Sequence, residues 1–251
     1  MKTANIDCTS LKTDIAKSDL ESGVDACKFL GITTRYALIN KNPQDIAPSR
    51  FGVAFRLGAA YLCRNDAIFK ECREAMLQSA LPLANELNVS PSFIANELSL
   101  AICAGRLELV DIIYEKGVYQ EGDYYADVTK VLLALYKGNL DEAYGAALGV
   151  LGDMAVSEKE YASWANAVIC VTAGQYEAAF INLSHYLSAQ KKYVETHLSK
   201  MARGKETCIC SIDFLDLPTA ALICLIERMG VRVPEAIRRS DYTDIDWIGA
   251  E

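Results

Sequence analysis

One pattern limits the fold more than any other, a helix that stops at a glycine and restarts at once. In residues 132–148, LLALYKGNLDEAYGAAL, the run closes a helix, turns at Gly138 and opens an antiparallel partner. Glycine just past a helix end takes the left-handed conformation without a Cβ clash. Asn139 is then placed to cap the next helix, with Glu142 three residues on as its capping-box partner. Leu140, Ala143 and Tyr144 follow at i, i+3 and i+4, the spacing of one helical face. Residues 100–113 around Gly105 and residues 168–183 around Gly174 have the same form. From Gly105 to Gly138 is 33 residues and from Gly138 to Gly174 is 36, within the period range of stacked helical pairs. The pattern predicts an all-α fold of stacked antiparallel helical hairpins, a tetratricopeptide-like solenoid or a compact bundle.

The rest of the chain is read around those units as one domain over 1–251. Residues 1–49 are a helical leader, 50–203 the hairpin units, and 204–251 a connector, an apolar helix and an acidic tail. Residues 42–50, NPQDIAPSR, read as a loop, because Pro43 and Pro48 each bias their predecessor away from the helical region. Gly31 reads as an interruption of a helix in the leader. Asn65 holds the place of the later glycines, with Asp66 as the cap after it. Ser90 caps a helix with Pro91 at its first position, and residues 157–160, SEKE, form a capping box. In residues 207–214 Cys208, Cys210 and Ile212 alternate with Ile209, Ser211 and Asp213, which predicts an extended connector. Asp216, Leu217 and Pro218 then start an apolar helix that runs through Arg228 and is closed by Met229 and Gly230.

Charge and cysteine usage bound the partners. Against 25 Lys and Arg stand 33 Asp and Glu, a formal charge of −8, so nucleic acid is not expected, since phosphate binding needs a basic surface. A basic protein suits such a surface better. The nine cysteines are an odd number, and Cys63, Cys103, Cys170 and Cys224 lie in apolar helical runs, as small core residues do. With no basic-then-apolar leader at the start, a reducing cytoplasm and free thiols are expected. The longest apolar runs fall short of the roughly 20 residues that cross a bilayer, so no membrane span is expected.

Motifs for chemistry are weighed in the same way. His185, His197, Cys208 and Cys210 are zinc-ligand types, but the histidines are twelve apart and one residue separates the cysteines, whereas structural zinc sites pair ligands through two to four. No run that seats a nucleophile, a dinucleotide or a triphosphate occurs in the sequence. Asp213 and Asp216 suit helix starts. The expectation is a protein with no catalytic residue, metal or cofactor, so not an enzyme. For a partner site the first candidates are Asp241, Tyr242, Asp244, Asp246 and Trp247, aromatic anchors set among acids, as interface hot spots are. The second are Glu121, Asp123, Tyr124 and Tyr125 in a polar, aromatic linker.

Residues 215–237, LDLPTAALICLIERMGVRVPEAI, together with the hairpins before them, carry a resemblance. Leu217 and Pro218 open an apolar helix, Ala220, Ala221, Leu222 and Leu225 run along it, and Met229, Gly230 and Val231 end it. In this the chain resembles the immunity protein 49 family and related all-α immunity proteins of bacterial toxin systems. The resemblance implies an immunity protein that binds and neutralises a cognate antibacterial toxin inside the producing cell, with no catalytic residues to carry over. The turn spacing by itself equally suits a tetratricopeptide-like adaptor or chaperone, although the Trp-x-x-Leu-Gly run of that class is missing.

Overall fold

The computed structural model describes residues 8–86, 91–116, 124–153, 159–204 and 209–250. Among them the chain is all-α, with thirteen helices and no strand. In order these are α1 (Cys8–Ser22), α2 (Ala26–Asn40), α3 (Ala47–Leu62), α4 (Asp66–Glu86), α5 (Pro91–Cys103), α6 (Leu107–Lys116) and α7 (Tyr124–Lys137). After them come α8 (Leu140–Asp153), α9 (Lys159–Thr172), α10 (Tyr176–Met201), α11 (Leu217–Arg228), α12 (Glu235–Arg238) and α13 (Ile245–Ile248).

The stop–start turns follow one design. Gly105, Gly138 and Gly174 have φ of +68°, +74° and +70°. At Gly138 its own N–H donates to the Leu135 carbonyl at 3.1 Å and the Asn139 N–H to the Ala134 carbonyl at 2.8 Å, which satisfies the last carbonyls of α7. Gly105 and Gly174 make the same pair of bonds. Asn139 then caps α8: its Oδ1 accepts from the Glu142 N–H at 3.3 Å and its Nδ2 donates to the Glu142 carboxylate at 2.9 Å. One residue thus ends a helix and begins the next.

Two further turns use the design without glycine. Between α3 and α4 the left-handed residue is Arg64, at φ +52°, and not Asn65. Asn65 stands one place later, as Asn139 does, and its Oδ1 accepts from the Ile68 N–H at 3.2 Å. Asp66 is therefore the first helical residue rather than the cap, and it pairs with Lys70 at 3.2 Å. Between α2 and α3 Lys41 takes φ +53° and Asn42 accepts from the Gln44 N–H at 3.2 Å. Residues 42–50 are accordingly not a loop. Pro43 opens a 3-10 turn, Pro43–Ile46, and Pro48 lies in the first turn of α3, where proline's missing N–H has no helical partner to lose.

The connector is shorter than its alternating pattern suggested. Cys210 is extended, at φ −116° and ψ 164°, but Ser211–Phe214 is a 3-10 turn locked by the Cys210 N–H donating to Asp213 Oδ2 at 2.7 Å. An Asp side chain three residues on offers the backbone a local partner that competes with extension. Ser90 and Ser157 lie outside the described residues, as does Cys208.

Contacts gather in two units, Met1–Ser79 with Gln190–Leu215, and Ala80–Ala189 with Asp216–Glu251. The boundaries pass through α4 and α10 and fall between Leu215 and Asp216. In the first unit α1, α2 and both 3-10 turns pack on α3. Val53, Leu57, Ala60 and Tyr61 give α3 a buried face at i, i+4, i+7 and i+8. Arg56, also buried, donates through Nη1 to the Gly23 carbonyl at 2.6 Å and lies 3.7 Å from Glu71. In the second unit α5 packs on α6 and α7, α8 on α7 and α9, and α11 on α5 and α7. Leu98, Leu100, Leu132 and Trp164 are its largest fully buried side chains besides Leu83 of α4.

Candidate interaction surface

Helix α2 has an apolar face on each side. Leu30, Thr34 and Ala37 are buried in the first unit. Opposite them Phe29, Ile32, Tyr36 and Ile39 are 53%, 53%, 59% and 79% exposed. Their spacing, i, i+3, i+7 and i+10, puts them in one stripe along the helix. Soluble proteins expose single apolar residues routinely, whereas a contiguous set marks a binding surface. Gly31 lies inside α2 with open space where a Cβ would stand, so the helix runs through it without the expected interruption.

At the N-terminal end of the stripe Val24 and Phe29 line a cleft of about 400 Å³ with Glu21, Asp25, Pro48 and Gly52. Val24 is itself exposed, as is Phe51 on α3. Glu21 and Asp25 are exposed carboxylates, and no ion pair engages either among the described residues. Lys28 and Arg35, seven residues apart on α2, are exposed beside the stripe. The surface therefore offers an apolar seam with acid at one end and base along one edge.

The tail candidates are placed differently. Tyr242 is 3% exposed, and its carbonyl accepts from the Asp216 N–H at 2.9 Å, which fastens the tail to the start of α11. Asp244 caps α13, its side chain accepting from the Trp247 N–H at 3.4 Å. Asp246 is held between Arg238 and Arg239, each 2.6 Å away, and Arg238 also reaches Glu227 at 2.7 Å. Burial opposes ionisation of Asp246, but the hydrogen bonds from Arg239 and Arg238 outweigh it and lower its pKa. Asp241 is exposed and Trp247 is half-buried. The tail's acids are thus largely used inside the second unit, and the one aromatic left partly accessible is Trp247. Glu121 and Asp123 lie outside the described residues, and Tyr124 and Tyr125 open α7 with side chains that also lie outside the description.

The histidines lie on α10. His185 is exposed, and His197 stacks on Tyr193 with ring centroids 4.1 Å apart, its Nδ1 2.9 Å from the Tyr193 carbonyl. Among the described residues no helix is long and apolar enough to cross a membrane. What this surface and fold define is an all-α protein of stop–start hairpins with an apolar face of α2 that is exposed among the described residues. No protein-family model matches the chain, and no curated protein or solved structure is significantly similar to it.

Proposed function

We propose that the chain is an immunity protein that binds a cognate antibacterial toxin and neutralises it by protein–protein contact through the outer face of α2. The observation that carries this is the stripe of Phe29, Ile32, Tyr36 and Ile39, which folding does not consume. The sequence likeness of α11 to the immunity protein 49 family supports the toxin as partner. Charge supports the same occupant. The formal charge of −8 steers a basic protein inward, and the carboxylates of Glu21 and Asp25 flank the cleft in which an apolar side chain of that protein would seat. Lys28 and Arg35 along the edge fix the register by calling for acid on the partner there.

The 33- and 36-residue turn spacing supports a second reading, a tetratricopeptide-like adaptor or chaperone. Co-expression with a candidate toxin separates the two. Growth rescue together with a co-purifying complex, both lost in Ile32→Asp, supports neutralisation through α2. Rescue without a complex points to an enzyme that undoes the damage, and neither rescue nor complex leaves the adaptor reading in front.

A further inference from the structure

Two pairs of cysteines distant in sequence meet in the fold. In the first unit Cys27 of α2 and Cys72 of α4 are 3.7 Å apart, sulfur to sulfur, and Cys72 is buried. In the second unit a thiol hydrogen bond joins Cys103, the last residue of α5, to Cys224 of α11. Both of these cysteines line an open cleft of about 510 Å³, together with Glu227, Arg228, Arg238 and Asp246. Neither is fully buried. The second pair therefore differs from the first in that both of its thiols are partly accessible, whereas Cys72 is buried.

We propose that Cys103 and Cys224 form a dithiol site that undergoes thiol–disulfide exchange with small disulfides of the oxidised glutathione type, with Cys224 attacking and Cys103 resolving. The cleft has room for a tripeptide thiol, and Arg228 on its wall supplies positive charge for a carboxylate of such a molecule, Arg238 being already paired with Glu227 and Asp246. The attacking group must be the thiolate. The Cys103 hydrogen bond stabilises a Cys224 thiolate and outweighs the opposing effects of burial and of Glu227, while Arg238 adds to it, so the pKa of Cys224 is lowered. Cys103 suits the resolving role because it ends a helix, where a local shift costs least.

The exchange balances in two steps. The Cys224 thiolate attacks one sulfur of the small disulfide; its S–S bond breaks, and the departing sulfur keeps the electron pair and takes a proton from water. Cys103 then loses its proton to water and attacks Cys224 Sγ, expelling the second small thiolate, which is protonated in turn. Two protein thiols and one small disulfide become one protein disulfide and two small thiols. The protein is oxidised by two electrons and the small disulfide reduced by two.

The test uses the full, reduced chain in oxidised glutathione, followed by differential alkylation and peptide mass mapping. Cys63 is exposed, and its glutathione adduct shows that the oxidant acted. The expected result is a Cys103–Cys224 disulfide in the wild-type chain that reopens in excess reduced glutathione. Cys103→Ser should hold glutathione on Cys224, and Cys224→Ser should abolish the disulfide. The proposal is overturned if Cys63 is modified while Cys103 and Cys224 both stay open to alkylation. A Cys103→Ser chain with no adduct on Cys224 also overturns the assigned roles. The wild-type measurement stands whether or not either variant folds, and it involves no toxin, so it is independent of the function proposed above.

Discussion

Replacing Gly58 with Ala should destabilise the first unit, although alanine is the better helix former. A Cβ built on Gly58 lies 2.4 Å from the Ser211 carbonyl carbon and oxygen and 2.5 Å from the Ile212 nitrogen, where ordinary contact is 3.4–4 Å. The obstacle is backbone, so no side chain can swing aside, and the 3-10 turn must withdraw by about 1 Å. That turn is held by the Ser211 N–H on Asp19 Oδ2 at 3.0 Å and the Cys210 N–H on Asp213 at 2.7 Å. Overpacking of this kind costs roughly 1–3 kcal/mol, and weakening one of those bonds adds about 1 kcal/mol. Alanine returns roughly 0.5–1 kcal/mol of helix propensity. The net loss should be about 1–3.5 kcal/mol. Gly31 is the control, since it lies inside α2 with nothing within 4 Å of an added Cβ. Gly31→Ala should therefore gain roughly 0.5–1 kcal/mol. Urea unfolding followed by far-UV circular dichroism should move the two midpoints in opposite directions. Gly58→Ala at or above the wild-type midpoint would refute the close approach of the turn to α3.

Other outcomes follow from the same geometry. Gly138→Val should cost about 1–2 kcal/mol through its φ of +74° alone, since nothing lies within 4 Å of an added Cβ, and an unchanged thermal midpoint would contradict that conformation. Asn139→Ala removes the cap of α8 and should cost about 1 kcal/mol by the same assay. Asp216 is buried, and burial pushes its pKa up against hydrogen bonds from Tyr186 and Thr219. The folded chain then binds a proton that the unfolded chain releases, so this carboxyl's contribution to stability falls as pH rises from the ordinary carboxylate range through the raised value. Asp216→Asn keeps an acceptor for the Thr219 N–H and has no proton to lose, so its melting temperature relative to wild type should climb from about pH 4 towards neutrality; a pH-independent difference would contradict the raised pKa. Ile39→Lys should leave stability within about 0.5 kcal/mol of wild type, as measured by urea unfolding, because the residue is 79% exposed.

The turns at Gly105, Gly138 and Gly174 were legible because glycine's freedom at positive φ is a property of the residue itself. The two turns at Lys41 and Arg64 were not, since any residue enters that region when the paired carbonyl bonds of the helix end hold it there. Their signal was the Asn one place later, shared by Asn42, Asn65 and Asn139, and only the last had a glycine beside it to draw attention. Prolines misled for a related reason. Pro48 reads as a breaker when its neighbours are unknown, yet in the first turn of a helix it breaks nothing. The tail's acids and aromatics looked like a partner site because sequence spacing does not show what folds back on them: Arg238 and Arg239 take up Asp246, and the core takes up Tyr242. The cysteine pairs were out of reach, for Cys27 and Cys72 are 45 residues apart and meet only through helix packing.

The stripe on α2 was hidden by a different circumstance. Periodicity identifies a helix by the face it buries, and in α2 that face is carried by Leu30, Thr34 and Ala37, one of them polar and one small. The larger apolar residues lie on the other side, so a search for the core face along this segment finds too much hydrophobicity at too many phases, and Gly31 in the middle invites a break. Hairpin packing supplies the reason the second face exists at all. A turn in which Asn42 follows the left-handed Lys41 and caps the 3-10 turn Pro43–Ile46 folds α2 back on α3 with little chain between, and α3 covers only one side of it. The small buried residues Thr34 and Ala37 suit that close approach. Packing among the described residues therefore accounts for the inward face and places no demand on Phe29, Ile32, Tyr36 or Ile39, and these four large apolar side chains are the ones the proposed complex would cover.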